Sequence, residues 1–318
     1  MIATRDLVEE FFRSTFTTDN ALITEAVRRM LAAGGKRLRP RLTLLAAEAN
    51  GADPRDHLAL AAYMELIHVG TLIHDDVVDR ADVRRGVNAT AVDFGNRVSV
   101  LAGDYLFAWI FKNVTANYPA PIPHILSATL ADITDGEVLQ LRALGDLGLP
   151  LGSYIEIVTK KTASLFAASA ECGAVMAGAP PLPVAALREF GLHFGIAFQM
   201  LDDLLDLTAN QRTLGKPVGN DLRERKMTIP LILALAGGDP ALQREAERTY
   251  GGDVEPAQAE RLAGAILRCD GAAKTREAIA GQVERAKHPL AALGATPARS
   301  ELERLADALA RDSFAQTE

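Results

Sequence analysis

The sequence predicts one all-α chain, and three features predict it. Apolar residues recur at intervals of three and four rather than two, as they do along one face of a helix. Alanine and leucine dominate while aromatic residues make up only 5% of the chain, which leaves little of the content that strands favour. Glycine and proline cluster between segments of about ten to thirty residues, the pattern of helices joined by short connections.

The elements follow in order from those breaks. "GGKRLRP" (34–40) and "GADPRD" (51–56) separate the first helices from a long apolar segment that contains "LIHDDVVDR" (72–80). "RRGVNAT" (84–90) closes that segment and opens an apolar helix over 91–116, and "NYPAPIP" (117–123) precedes another over 122–143. "GDLGLPLGS" (145–153), "GAPPLP" (178–183), "NQRTLGKPVGND" (210–221) and "GGDP" (237–240) mark the later connections. No window alternates as a strand does, and no low-complexity linker divides the chain. Residues 1–318 are therefore expected to form a single all-α domain, with enough apolar residues, 48%, to bury a large core.

Charge narrows the function. With 34 Lys and Arg against 41 Asp and Glu, the net charge of −7 argues against general nucleic-acid binding, which needs a basic surface. A polyanionic ligand would have to be gripped locally. Cys172 and Cys269 make neither a disulfide framework nor a metal-ligand spacing, so a reducing, cytoplasmic setting is expected. "MIATRDLVEEFFRS" has no signal-peptide core. Apolar stretches are broken by Asp104, Glu171 or proline before about 18 residues, so no transmembrane span is expected, while transient contact with a membrane surface stays open.

"LIHDDVVDR" is echoed by "QMLDDLLDL", and both place Asp-Asp-x-x-Asp within apolar, helix-forming surroundings. On a helix, positions i, i+1 and i+4 share an arc of roughly 100°. Asp75, Asp76 and Asp79 would project together, and so would Asp202, Asp203 and Asp206. A lone acidic cluster reads most simply as a solvated face or a helix end. Here Leu72, Ile73, Val77 and Val78 want burial, and three neighbouring carboxylates repel one another. Two such triads suit hard divalent cations, above all magnesium, which binds through a few carboxylates plus phosphate oxygens. They suggest a phosphorylated substrate between them.

Cations match that substrate. Arg84 and Arg85 follow the first triad, at the expected end of its helix. Lys36, Arg37, Arg39 and Arg41 cluster in "GGKRLRPRL", where two glycines would let the backbone approach a ligand. Either cluster alone reads as ordinary helix-dipole partners. With Lys161, Lys216 and Lys226 they make two groups, one suited to a diphosphate bridged through metal and one to a diphosphate held without it.

At this point the chain closely resembles the trans-isoprenyl diphosphate synthases, or polyprenyl synthetases. "GGKRLRP", "LIHDDVVDRADVRRG", "GNRVSVLAGDYL", "GEVLQL", "KKTASLF", "FQMLDDLLD" and "GKPVGNDLRERKMTIPLI" occur in the family's order and approximate spacing. The resemblance implies a helical bundle of the isoprenoid synthase type, with a central cavity lined by two aspartate-rich helices. It implies condensation of an allylic diphosphate, farnesyl or geranylgeranyl, with successive isopentenyl diphosphates, head to tail and in trans. Carried over by motif, Asp75, Asp76, Asp79 and Asp202 would hold magnesium, with Asp203 and Asp206 in support and about three ions per site. Arg84, Lys161, Lys216 and Lys226 would bind the allylic diphosphate. Lys36, Arg39, His68 and Arg85 would bind isopentenyl diphosphate. The allylic cation would face Thr162, the Lys161 carbonyl and Gln199, and departing pyrophosphate would take the proton. A homodimer is also implied.

Rival explanations attach to single residues. His68, two turns before Asp75, could be a bonded core histidine. His74 beside Asp75 fits a metal phosphohydrolase of the HD type, a reading that leaves the second triad and "GGKRLRP" idle. A non-catalytic subunit of a heteromeric synthase is a third class, set against by both intact triads. Glu137 and Gln140 are assigned no chemistry, and Phe107, Trp109 and Phe111 are read as core or subunit contacts. For product length, Ile67, Gly70 and Thr71 would line the wall beside the growing tail, with glycine leaving the channel open and Tyr63 a candidate floor. One helical turn of about 5.4 Å is comparable to one isoprene unit, so an unobstructed channel would permit several additions, and the resemblance implies a long product of about six to nine units, octaprenyl first, over a short geranylgeranyl one.

Overall fold

A computed structural model of the chain describes residues 4–16, 18–208 and 219–311. The chain is helical almost throughout, in the all-α class expected. Its helices in order are α1 (Thr4–Thr15), α2 (Ala21–Ala32), α3 (Leu38–Ala49), α4 (Leu58–Val78), α5 (Thr90–Asn117), α6 (Pro121–Arg142), α7 (Leu151–Val158), α8 (Ser164–Met176) and α9 (Pro181–Thr208). Further helices follow over Asn220–Arg223, Ile229–Leu235, Pro240–Tyr250, Pro256–Arg268, Gly271–Lys287 and Pro297–Ala310. Local chemistry sets several starts. The Asn20 side chain accepts from the backbone of Leu22 and Ile23, and Asp239 does the same for Ala241. Prolines occupy the first turn at Pro240 and Pro256, where their missing N–H costs nothing.

Two departures from the expected pattern matter for the site. "RRGVNAT" holds not a helix end but a small antiparallel ribbon, Val83–Arg84 against Val87–Asn88. Its connection is the two-residue turn Arg85–Gly86, with φ of 50° and 78°, the hairpin geometry whose twist matches that of the strands. Two-residue strands are too short to show alternation. α4 has already ended at Val78, so Arg84 and Arg85 sit on the ribbon rather than at the helix end. Second, α5 is kinked at Gly95, whose φ of 77° no helix accommodates.

The chain divides into two compact units. One draws on the chain up to Ala128, Ala168–Arg188 and Ala292–Leu302. Its core gathers around α4, where Leu60, Met64, Leu66, Ile67 and Ile73 are fully buried with Leu42, Leu106 and Ile110. Each such side chain contributes about 1.5–3 kcal/mol on burial. Glycines allow close helix approach here: Gly173 lies on the Thr43 carbonyl and Gly103 on the His74 ring. The other unit draws on Thr129–Ala167, Glu189–Ala291 and the chain from Glu303 on. Phe166, Phe190 and Phe194 anchor its core, and Gly191 and Gly195 bring α9 onto the backbone of Phe166 and Ala163. Among the described residues no helix is long and apolar enough to cross a membrane.

Candidate active site

In the first unit the apolar run of α4 ends in acid. Asp75 and Asp76 occupy its last turn, and Asp79 is the cap residue, still near helical at φ −79° and ψ −4°, its N–H bonded to the Asp75 carbonyl at 2.8 Å. All three carboxylates thus gather at a helix C-terminus, the electrostatically unfavourable end for anions, which sets them apart from capping residues. They are not equivalent. Asp76 is fully buried, and Arg84 reaches its Oδ1 through Nε at 2.7 Å and Nη2 at 2.6 Å. Asp75 and Asp79 are half-buried.

The ribbon turn carries Arg85 into a second cluster. Its guanidinium lies 2.8 Å from where a Gly35 Cβ would be and donates to the Gly34 carbonyl, so the neighbour that Gly35 admits is Arg85. Arg85 Nη2 is 3.4 Å from His68 Nε2. Arginine can only donate, so that imidazole nitrogen accepts. Burial, then Arg39, Arg85, Arg37 and Arg84, hold the His68 pKa well below 6.5, and the ring is neutral at pH 7. Burial also lowers Arg39 to about 10, against support from Glu65; it remains a cation. Lys36 is exposed beside them. The cations Lys36, Arg37, Arg39 and Arg85 outnumber the carboxylates of Glu9 and Glu65 that pair with Arg37, an excess of positive charge that an anion stabilises.

The second triad lies in the second unit, at the end of α9. Asp202 is exposed. Asp203 is buried and accepts from Tyr154 Oη at 2.8 Å, Gln199 Nε2 at 2.9 Å and the Ile229 N–H at 3.2 Å. Burial pushes its pKa up to about 7 against those bonds. Asp206 accepts from the N–H groups of Asn220 at 3.3 Å and Asp221 at 3.2 Å, and burial raises it to about 6. These two brace the backbone, leaving Asp202 outermost. Gln199 Oε1 in turn accepts from the Thr162 hydroxyl at 2.9 Å, so the two residues expected beside a cation are joined. Thr162 belongs to a π turn, Thr159–Ala163, a bulge type frequent at functional sites.

The same unit holds its lysines against acids. Lys161 pairs with Glu137, while Lys160 reaches Asp135 at 3.3 Å. Gly136 packs on the Lys161 backbone. Lys226 pairs with Glu224 at 2.5 Å, and its carbonyl accepts from Tyr250 Oη at 3.0 Å. Lys216 lies outside the described residues. Glu137 carried no assigned chemistry in the sequence, and nothing in the sequence points to Tyr154 or Glu65. The one available signal was that Glu137 follows the glycine of "GEVLQL".

Residues 20–266 match the family model described as polyprenyl synthetase. The chain belongs to the polyprenyl synthetase family. It is 37% identical over 293 residues to octaprenyl diphosphate synthase of Escherichia coli, covering 91% of this chain and 90% of that one. It is 38% identical to a short chain isoprenyl diphosphate synthase of Methanothermobacter thermautotrophicus, with 90% and 89% covered. The structure of a polyprenyl synthase from Caulobacter crescentus, complexed with calcium and isoprenyl diphosphate, superposes with a TM-score of 0.89 at 40% identity, covering 96% and 93%. As a member of this family the chain is a prenyltransferase, and prenyl diphosphates are the fitting substrates.

His74 bonds the Val100 carbonyl at 3.0 Å and meets the Phe107 ring edge-on, a packing role that gives the HD-type reading no support. No three His, Cys, Asp or Glu side chains among the described residues converge on one ion by themselves. A hard divalent cation can take phosphate and water oxygens for much of its shell, and the carboxylates of Asp75 and Asp79 in the first unit, and of Asp202 in the second, are hard donors of that kind. Ile67 and Gly70 are buried and Thr71 half-buried, its hydroxyl bonded to the His68 carbonyl at 2.8 Å. A Cβ at Gly70 would meet the Phe107 ring at 2.7 Å, so a ring from α5 occupies the space that the missing side chain leaves. Tyr63 is buried between the rings of Phe11, Trp109 and Tyr118.

Proposed function

We propose that the chain is a magnesium-dependent long-chain synthase, extending farnesyl or geranylgeranyl diphosphate with isopentenyl diphosphate to about six to nine units, octaprenyl first. It works as one catalytic domain, as a homodimer, in the cytoplasm, with about three ions per site. One observation carries this: the first unit holds a carboxylate-rich helix end and, separately, a cluster of Lys36, Arg37, Arg39 and Arg85 that outnumbers the carboxylates of Glu9 and Glu65 beside Arg37. These suit two diphosphates of different chemistry, one gripped through metal and one without.

The residues divide the reaction. Asp75, Asp76, Asp79, Asp202, Asp203 and Asp206 would hold or brace the metal, which when bound would supply positive charge to the leaving pyrophosphate. Arg84, Lys161, Lys216 and Lys226 bind the same diphosphate; for this, Lys161 and Lys226 exchange Glu137 and Glu224 for phosphate oxygens. As the allylic C–O bond breaks, its electrons leave with pyrophosphate, and the oxygens of Thr162, Gln199 and the Lys161 carbonyl stabilise the carbon left behind. Lys36, Arg39, His68 and Arg85 hold isopentenyl diphosphate, with neutral His68 orienting Arg85 rather than adding charge. Its double bond attacks, the new C–C bond forms, and loss of a proton to pyrophosphate restores an alkene.

The octaprenyl relative supports the long product. A shorter, geranylgeranyl-type product is the second reading, favoured by the Phe107 ring against Gly70. Incubation with farnesyl diphosphate, labelled isopentenyl diphosphate and magnesium, followed by dephosphorylation and sizing, separates them. A ladder ending near forty carbons supports the first, a stop at twenty carbons the second, and no incorporation with any primer rejects both in favour of a non-catalytic subunit.

A further inference from the structure

Glu65 lies on α4 one turn before His68, and it is only 2% exposed. Its Oε1 accepts from Arg37 Nη1 at 3.0 Å. Arg37 itself is committed on every side: Nε to Glu9 at 2.7 Å, Nη2 to the Leu31 carbonyl at 2.8 Å, and the guanidinium 5.2 Å from the centre of the Phe12 ring. Such an arginine has little left to offer a ligand. Its backbone, however, is unusual. Arg37 precedes α3 in the left-handed conformation, φ 48° and ψ 40°, which residues with a side chain rarely adopt. That reversal falls between Lys36 and Arg39, so it decides where both cations project.

We propose that Glu65 and Arg37 are positioning residues whose buried ion pair locks this left-handed turn and thereby aims Lys36 and Arg39 at a diphosphate bound without metal. The inference rests on the diphosphate role proposed above for Lys36, Arg39, His68 and Arg85. A second oxygen of Glu65 is buried with no hydrogen-bond partner among the described residues, and the carboxylate supports the charge of Arg37, Arg39 and Arg85. Glu65 therefore also offsets charge, and the two roles predict opposite signs. As a pure counter-charge, its loss leaves the cluster more positive and tightens anion binding. As a positioning group, its loss loosens the turn and weakens binding.

The test is calorimetric titration of the full chain with isopentenyl diphosphate and with inorganic pyrophosphate, in chelator. The expected result is that E65Q binds both about tenfold more weakly than the unaltered chain, while affinity for an allylic diphosphate in magnesium changes less than about twofold. R37A should weaken metal-free binding similarly, and R37G should recover at least about threefold of that loss, because glycine enters the left-handed region freely. Equal or tighter binding by E65Q, or equal binding by R37A and R37G, overturns the positioning role. If E65Q does not fold, judged by its helical signal and melting midpoint, the Arg37 pair decides. Failure of the unaltered chain to bind either ligand in chelator rejects the metal-free diphosphate role and this inference with it. Binding that E65Q leaves unchanged rejects the inference alone.

Discussion

Replacing Gly136 by alanine tests whether α6 supports the π turn that carries Lys161 and Thr162. A Cβ at Gly136 would overlap the Lys161 amide nitrogen and lie 2.9 Å from both Lys160 Cβ and Lys161 Cα. Two of these three atoms are backbone, so no side-chain rotation relieves the contact and the helix or the turn must retreat. Overpacking of this kind costs about 1–3 kcal/mol. In a chain of this size each kcal/mol lowers the melting midpoint by about 2–4 °C. The same retreat separates Lys161 from Glu137 and shifts Thr162 against Gln199. A displacement of about 1 Å in such groups can cost about a hundredfold in turnover. The assay is steady-state prenyl transfer at varied allylic diphosphate, with thermal unfolding in parallel. Expected are a lower midpoint and a loss of about ten- to a hundredfold in kcat/KM for the allylic substrate. A midpoint within about 1 °C of the parent, with kcat/KM unchanged, would refute the reasoning.

Two further outcomes are expected. F107A removes the ring that fills the space above Gly70, so the product distribution should move toward longer chains; an unchanged distribution would show that Phe107 sets no limit. His68 is held well below 6.5 when folded, so as pH falls through about 6.5 the unfolded chain takes up a proton that the folded chain does not, and stability is lost. The melting midpoint should therefore fall more steeply between pH 7.5 and 5.5, as approximate limits, in the unaltered chain than in H68N, and parallel curves would contradict it.

The helices and both triads were legible because each is a local pattern: three-and-four periodicity, glycine and proline breaks, and aspartates spaced one helical turn apart. The basic clusters were legible for the same reason. What the sequence hid depends on partners from distant segments. Tyr154 meets Asp203 across 49 positions and Arg37 meets Glu65 across 28, and neither tyrosine in an apolar run nor glutamate in a core helix announces such a contact. The inequality within the first triad was hidden too, because Arg84 reaches Asp76 only by way of a ribbon four paired residues long. From sequence, Gly70 reads as open space beside the growing tail. The Phe107 ring packs there, a contact from α5 that no local pattern on α4 carries.

The central claim is that the two aspartate triads serve one metal-dependent transfer, and pyrophosphate release tests it most directly. Release would be followed for the unaltered chain, D75A and D202A with farnesyl and isopentenyl diphosphates, in magnesium and in chelator. The unaltered chain should release pyrophosphate only with magnesium, and each substitution should remove about 4 kcal/mol of transition-state stabilisation, about a thousandfold in rate. Near-normal release by both variants, or release that persists in chelator, would contradict the claim.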